Sequence, residues 1–159
     1  MKASVTRLYR FSASHRLHLD QLSEDENTKL YGKCNNPYGH GHDYVLSVTA
    51  EGPVNPETGQ ILLLAELDAL VDNCILRLFR DRNINLDVPQ FRELVATTEN
   101  IAKVASELLR ENWASYISGA GTLRRVHVQE TDRNGFEILI PAAAAENSHS
   151  GSERSKVAV

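Results

Sequence analysis

Two cysteines, Cys34 and Cys74, in 159 residues are too few for a disulfide framework. No apolar run near the N-terminus resembles a signal peptide, and the run from Ile61 to Ala65 falls far short of a membrane span. A basic excess is missing too: the formal net charge of -4 leaves nothing spare to neutralise a phosphate backbone, which argues against nucleic acid as a main partner. A local basic pocket for a small phosphorylated ligand remains compatible with that balance. No segment repeats at a fixed length. These absences imply a cytoplasmic protein with reduced thiols and no membrane or nucleic-acid partner. What is present, 42% hydrophobic and 24% charged residues, is ordinary for a soluble globular chain, and the length fits one domain.

Periodicity supplies the elements. Val5 to His15 alternate as a strand, with Tyr9, Phe11, Ala13 and His15 on one face. Arg16 to Tyr38 is polar and predicts a long loop, of the kind that is often functional in a compact domain. A second alternating segment sets His42, Tyr44, Leu46, Val48 and Ala50 on one face. Turn signals run from Gly52 to Gly59. Leu67, Leu70, Val71, Cys74, Ile75 and Leu78 then recur at helical spacing and predict a helix from about Ala65 to Phe79, with Cys74 on its buried stripe. Arg80 to Pro89 predicts another loop. Thr97-Thr-Glu99 starts a second helix, and two strands follow, Leu123 to Glu130 and Phe136 to Ile140, across an Asp132-Arg-Asn-Gly135 turn. The expected class is α+β, a four-stranded antiparallel sheet with two helices on one face in the order ββααββ. Residues 1–141 make the single domain, and the Ala, Ser and Glu of 142–159 predict a disordered tail.

Chemistry concentrates between Gly32 and Asp43, which hold Cys34, His40 and His42. Residues two apart on a strand share a face, so His40 and His42 can offer their rings to one point, and His15 ends an apolar face of its own. Together the three imidazoles would make a zinc (Zn2+) site with one position open to substrate. The alternative is a closed structural site with Cys34 as a ligand and His15 at the edge of the core. An open site would lower the pKa of bound water to about 7. Cys34 needs a neighbouring base or cation, because only roughly a few per cent of a free thiol is ionised at neutral pH. Glu130 ends the apolar row of Val126 and Val128, where it would meet either a ligand with paired N–H donors, such as a guanine or pterin ring, or a local arginine. Thr97 and Thr98 are routine helix caps by type. Arg16, Lys29 and Lys33 flank the candidate pocket as possible phosphate attractors or as solvated side chains.

Five separated segments together resemble one family. Phe11-Ser-Ala-Ser-His-Arg-Leu17, Gly32-Lys-Cys-Asn-Asn-Pro-Tyr-Gly-His-Gly-His42, Asp87-Val-Pro89, Thr97-Thr-Glu-Asn100 and Gln129-Glu-Thr131 are similar to 6-pyruvoyltetrahydropterin synthases, over about Val5 to Ile140. The resemblance implies a tunnelling fold whose subunits join their sheets, typically as a homohexamer made of two trimers. It also implies zinc on His15, His40 and His42, Cys34 as catalytic base, and Glu130 with Thr97 and Thr98 as pterin anchors. The implied reaction is a lyase step that removes triphosphate from 7,8-dihydroneopterin triphosphate to give 6-pyruvoyltetrahydropterin. The five residues between Cys34 and His40 favour this type over the 6-carboxytetrahydropterin synthases of deazaguanine synthesis, which remain an alternative. The chain departs from the pattern where the family carries an Asp-His pair that activates the cysteine, since the aligned positions read Arg80-Asp81. Three outcomes stay open: Asp81 acts on Cys34, Arg80 or zinc stabilises the thiolate, or the protein binds a pterin with impaired turnover.

Overall fold

Alternation continues further along the chain than the apolar pattern requires. In the computed structural model, which describes residues 1–141, strand β1 spans Lys2–His15 and strand β2 spans His40–Pro53. They pair antiparallel over their whole length, from Lys2 opposite Pro53 to His15 opposite His40. Strands β4 (Thr122–Thr131) and β5 (Asn134–Leu139) extend the sheet antiparallel on the far side of β2. The expected four-stranded antiparallel sheet is therefore corrected to five strands in the order β3-β1-β2-β4-β5, because β3 (Arg82–Asn83) pairs parallel to Ala13 and Ser14 at the outer edge. Two residues are too short a stretch to carry a period of two.

The expected loops also contain helices. Within Arg16 to Tyr38 lies α1 (Glu24–Tyr31), started by a capping box in which Ser23 and Glu26 satisfy each other's backbone amides. A 3-10 turn, Gly32–Asn35, follows it directly. The first expected helix is present as α2 (Leu64–Val71) and α3 (Arg77–Phe79), joined by a π-helical turn over Asp72–Leu76. The wider turn moves the inward stripe by one residue. Ile75, Leu76 and Phe79 are buried, and the expected Cys74 and Leu78 are only half-buried. A short α4 (Ile84–Asp87) lies in the second expected loop. The long α5 (Thr98–Tyr116) begins where the sequence predicted, with Thr97 as N-cap accepting from the Asn100 amide at 3.3 Å.

One core lies between the helices and one face of the sheet. Phe11, Tyr44, Leu46, Val48, Val126 and Val128 line it from the strands, and Leu67, Leu70, Phe79, Ile101, Ala105 and Leu109 from the helices. Burial of that apolar surface is the main force holding helices to sheet. A bidentate pair from Arg7 to Asp68, at 2.6 and 2.7 Å, and a Tyr9 hydroxyl donating to Asp68 at 2.9 Å tie α2 to β1. The opposite face of the sheet carries Thr6, Ser12, Asp43, Thr49 and His127 and is polar. No helix among the described residues is long and apolar enough to cross a membrane. The expected tail, 142–159, lies outside the described residues.

Candidate metal centre

The register that pairs His15 with His40 and Ala13 with His42 puts all three histidines on the core face at one end of the sheet. Gly39 makes the entry possible: at φ 69° it turns the chain into β2, and a Cβ there would lie 2.8 Å from the His15 carbonyl. The ring centroids are 4.7 Å apart for His15 and His40, 5.1 Å for His15 and His42, and 4.7 Å for His40 and His42. One nitrogen from each falls within 4.8 Å of the others. His15 Nδ1 lies 2.7 Å from the Ala96 carbonyl, which can only accept, so the proton sits on Nδ1 and Nε2 keeps a lone pair. That Nε2 is 3.2 Å from His40 Nε2. Tetrahedral zinc with nitrogen ligands at about 2.0–2.1 Å would hold them roughly 3.3 Å apart, so the spacing fits.

Electrostatics point the same way. Burial pushes the His15 imidazole below its ordinary value, against the pull of the Ala96 bond, and burial with the neighbouring His42 does the same to His40. Both are held neutral, the form that ligates a metal. His42 Nε2 is buried with no hydrogen-bond partner among the described residues. Set beside the facing Nε2 atoms of His15 and His40, it completes a group of three ring nitrogens that could hold a metal ion.

Cys34 is not among the three clustered ligands, so the closed alternative has no support from this geometry. The thiol sits in the 3-10 turn, held by the Leu17 amide donating to the Cys34 carbonyl at 2.8 Å. Its neighbour Asn35, 5% exposed, accepts from Arg16 and His18 and donates to Glu24 and Thr28. Arg16, a candidate phosphate attractor, is thus already committed to this turn. Burial and the Glu130 charge push the Cys34 thiol above its ordinary value.

Glu130 faces the same centre. Its Oε1 lies 3.6 Å from His15 Nε2 and 3.8 Å from His42 Nε2, with its side chain 11% exposed. No arginine or lysine among the described residues forms a salt bridge with it, which removes the local-arginine reading. Register shifts between Gln129 and Thr131 on the β5 side, so Glu130 is the extra residue of a β-bulge, a device that re-aims a side chain. Thr97 caps α5 and Thr98 is 4% exposed beneath it.

Asp81 sits just before β3. At φ 59°, its amide donates to the Ser12 carbonyl at 2.7 Å, and it lines a cavity of about 390 Å³ with Ser12, Ser14, Asp43, Arg82 and also His42. The charge that bears on Cys34 within the chain is that of Glu130. His127, on the polar face opposite Glu137, is remote from the centre. Sequence reasoning missed Asn27 and Asn35. Asn27, fully buried, binds the Leu19 amide and the carbonyls of Leu19, Leu22 and Ser23. Nothing in its spacing marks it.

Comparison with known proteins adds an independent line. The family model described as 6-pyruvoyl tetrahydropterin synthase matches residues 4–139. A human protein named 6-pyruvoyl tetrahydrobiopterin synthase is 43% identical over 133 residues, covering 84% of this chain and 88% of that one. The Poecilia reticulata protein of the same name is 41% identical over 130 residues, covering 82% and 85%. The solved 6-pyruvoyl tetrahydropterin synthase of Caenorhabditis elegans superposes with a TM-score of 0.80 at 37% identity, covering 89% of this chain and 97% of that one. With matches on this scale in sequence and in fold, the chain belongs to the 6-pyruvoyl tetrahydropterin synthase family.

Proposed function

We propose that this protein is a zinc-dependent lyase that converts 7,8-dihydroneopterin triphosphate into 6-pyruvoyltetrahydropterin with loss of triphosphate. The observation that carries the reading is the meeting of three imidazoles beside Glu130, with Cys34 within reach of the same carboxylate's charge. Human and fish relatives carry the name of that activity. His15, His40 and His42 hold the metal, and zinc supplies Lewis acidity toward side-chain oxygens of the substrate. Glu130 takes the paired N–H donors of the pterin ring, with Thr97 and Thr98 at the start of α5 completing the anchor. Those bonds leave the Glu130 charge in place but draw it toward the ring, which weakens one of the two influences that raise the Cys34 thiol. Substrate binding therefore prepares Cys34 to move a proton on the side chain.

Asp81 is proposed to assist Cys34 from a second copy of the chain, because within its own chain the charge that bears on Cys34 is that of Glu130 and not that of Asp81. This places the working enzyme in an oligomer, a homohexamer by family resemblance, in the cytoplasm. A second reading, a pterin-binding protein with impaired turnover, is favoured by the raised Cys34 thiol and the absence of a histidine near Asp81 in the sequence. Steady-state triphosphate release separates the two. Release by wild type that is abolished in Cys34→Ala supports the lyase, and wild-type release no faster than that variant's supports the binding protein. Chromatography of the product distinguishes the pyruvoyl from the carboxy pterin.

A further inference from the structure

The floor of the centre holds a mismatch in hydrogen bonding. Tyr44 is 0% exposed and its hydroxyl is buried with no partner among the described residues. A buried donor left unmade costs on the order of 1–3 kcal/mol, so a retained orphan calls for an acceptor. The ring is fixed by its neighbours: it stacks on Phe11 at 5.1 Å between centroids, and meets His42 at 5.6 Å and His15 at 6.3 Å edgewise.

The complementary defect lies on the next strand. Glu130, a nearly buried carboxylate, has one hydrogen bond among the described residues, from Asn134 at 3.5 Å, and otherwise leans toward imidazole nitrogens at 3.6 and 3.8 Å. A carboxylate offers about four lone-pair sites. Val45 opposite Gln129 and Leu46 opposite Val128 set Tyr44 and Glu130 one step further along the same two strands, both on the core face.

We propose that Tyr44 is a positioning residue for Glu130: when a pterin engages the carboxylate, the Tyr44 hydroxyl donates to it and fixes the orientation in which it receives the ring. In the structure the Glu130 carboxylate lies 3.6 and 3.8 Å from the His15 and His42 Nε2 atoms, and the Tyr44 hydroxyl has no acceptor among the described residues. Tyr44 touches neither metal nor ligand in this arrangement. The inference rests on the pterin-binding reading above and adds to it a residue whose only polar atom acts through another.

A double-mutant cycle on the zinc-loaded protein tests it, with neopterin as the fluorescent probe. Tyr44→Phe should weaken neopterin binding about tenfold, the loss expected for a hydrogen bond to a charged acceptor. Zinc content should be unchanged and Tm no lower, since the variant removes an orphaned donor. In a Glu130→Gln background the same substitution should cost only about threefold, because the acceptor is then neutral. Equal losses in the two backgrounds, unchanged affinity in Tyr44→Phe, or a loss of zinc or of several degrees in Tm would each overturn the proposal. Wild type that binds no neopterin would overturn the functional reading itself, and so separates the two failures.

Discussion

His15 uses its two ring nitrogens for different purposes. Nδ1 donates to the Ala96 carbonyl, one residue before the Thr97 cap of α5, so the loop that starts the helix also fixes the tautomer. Nε2 is thereby left with a free lone pair turned toward His40. From this follows a metal-content prediction: His40→Ala should purify with less zinc than wild type, and His127→Ala, altered on the polar face, with the same amount. The pH dependence has a definite sign. His15 and His40 are held below their ordinary values, so both are neutral at pH 7 and take up protons only at lower pH. Zinc retention should be level above about pH 6.5 and decline below it as protons compete for the ligands. Zinc titrations from about pH 5 to about pH 8 measure this, and retention that improves on acidification would contradict the assignment. These three residues were legible in the sequence because strand alternation is a strict geometric rule and each histidine extended an apolar face. Glu130 was legible as the end of such a row, although the bulge that aims it was not, since one extra residue against β5 leaves no mark in composition.

Elements were legible where they are long and one-sided. The 19 residues of α5 repeat their apolar stripe over five turns, so its position and cap could be read directly. By contrast, α1 has eight mostly polar residues, and its capping box of Ser23 and Glu26 was a signal without an apolar stripe to support it. The π turn escaped because a single widened turn shifts the stripe without breaking it. What α1 contributes is the placement of Cys34: it runs into the turn that carries the thiol, and Asn35 bonds back to Glu24 and Thr28 on the helix and across to Arg16 and His18. Asn35→Ala removes that junction and leaves buried partners unmade, a loss of about 1–3 kcal/mol. The expected result is faster amide exchange across residues 16–36 and lower kcat, with zinc content preserved. A variant with normal exchange and normal kcat would show that the turn holds its place without Asn35.

At the scale of the molecule, the sheet is open on both sides. β3 covers only Ala13 and Ser14 of β1, so most of that strand, and the whole outer side of β5, has no strand beside it among the described residues. Long open edges are places where chains pair, and exposed Leu8 on β1 and Leu139 on β5 lie on those same two strands. Light scattering should therefore report an assembly well above the 17.7 kDa of one chain. The proposal that Asp81 serves the Cys34 of a second copy makes a sharper prediction than mass alone. Cys34→Ala and Asp81→Asn subunits should each release triphosphate poorly when pure. Mixed at equal ratio and reassembled, they should recover activity, because roughly a quarter of random subunit boundaries then join an intact Cys34 to an intact Asp81. If Asp81 acted within its own chain, every subunit in the mixture would lack one partner and no recovery could occur. Full activity in pure Asp81→Asn would instead remove Asp81 from the reaction altogether and leave Cys34 dependent on other groups.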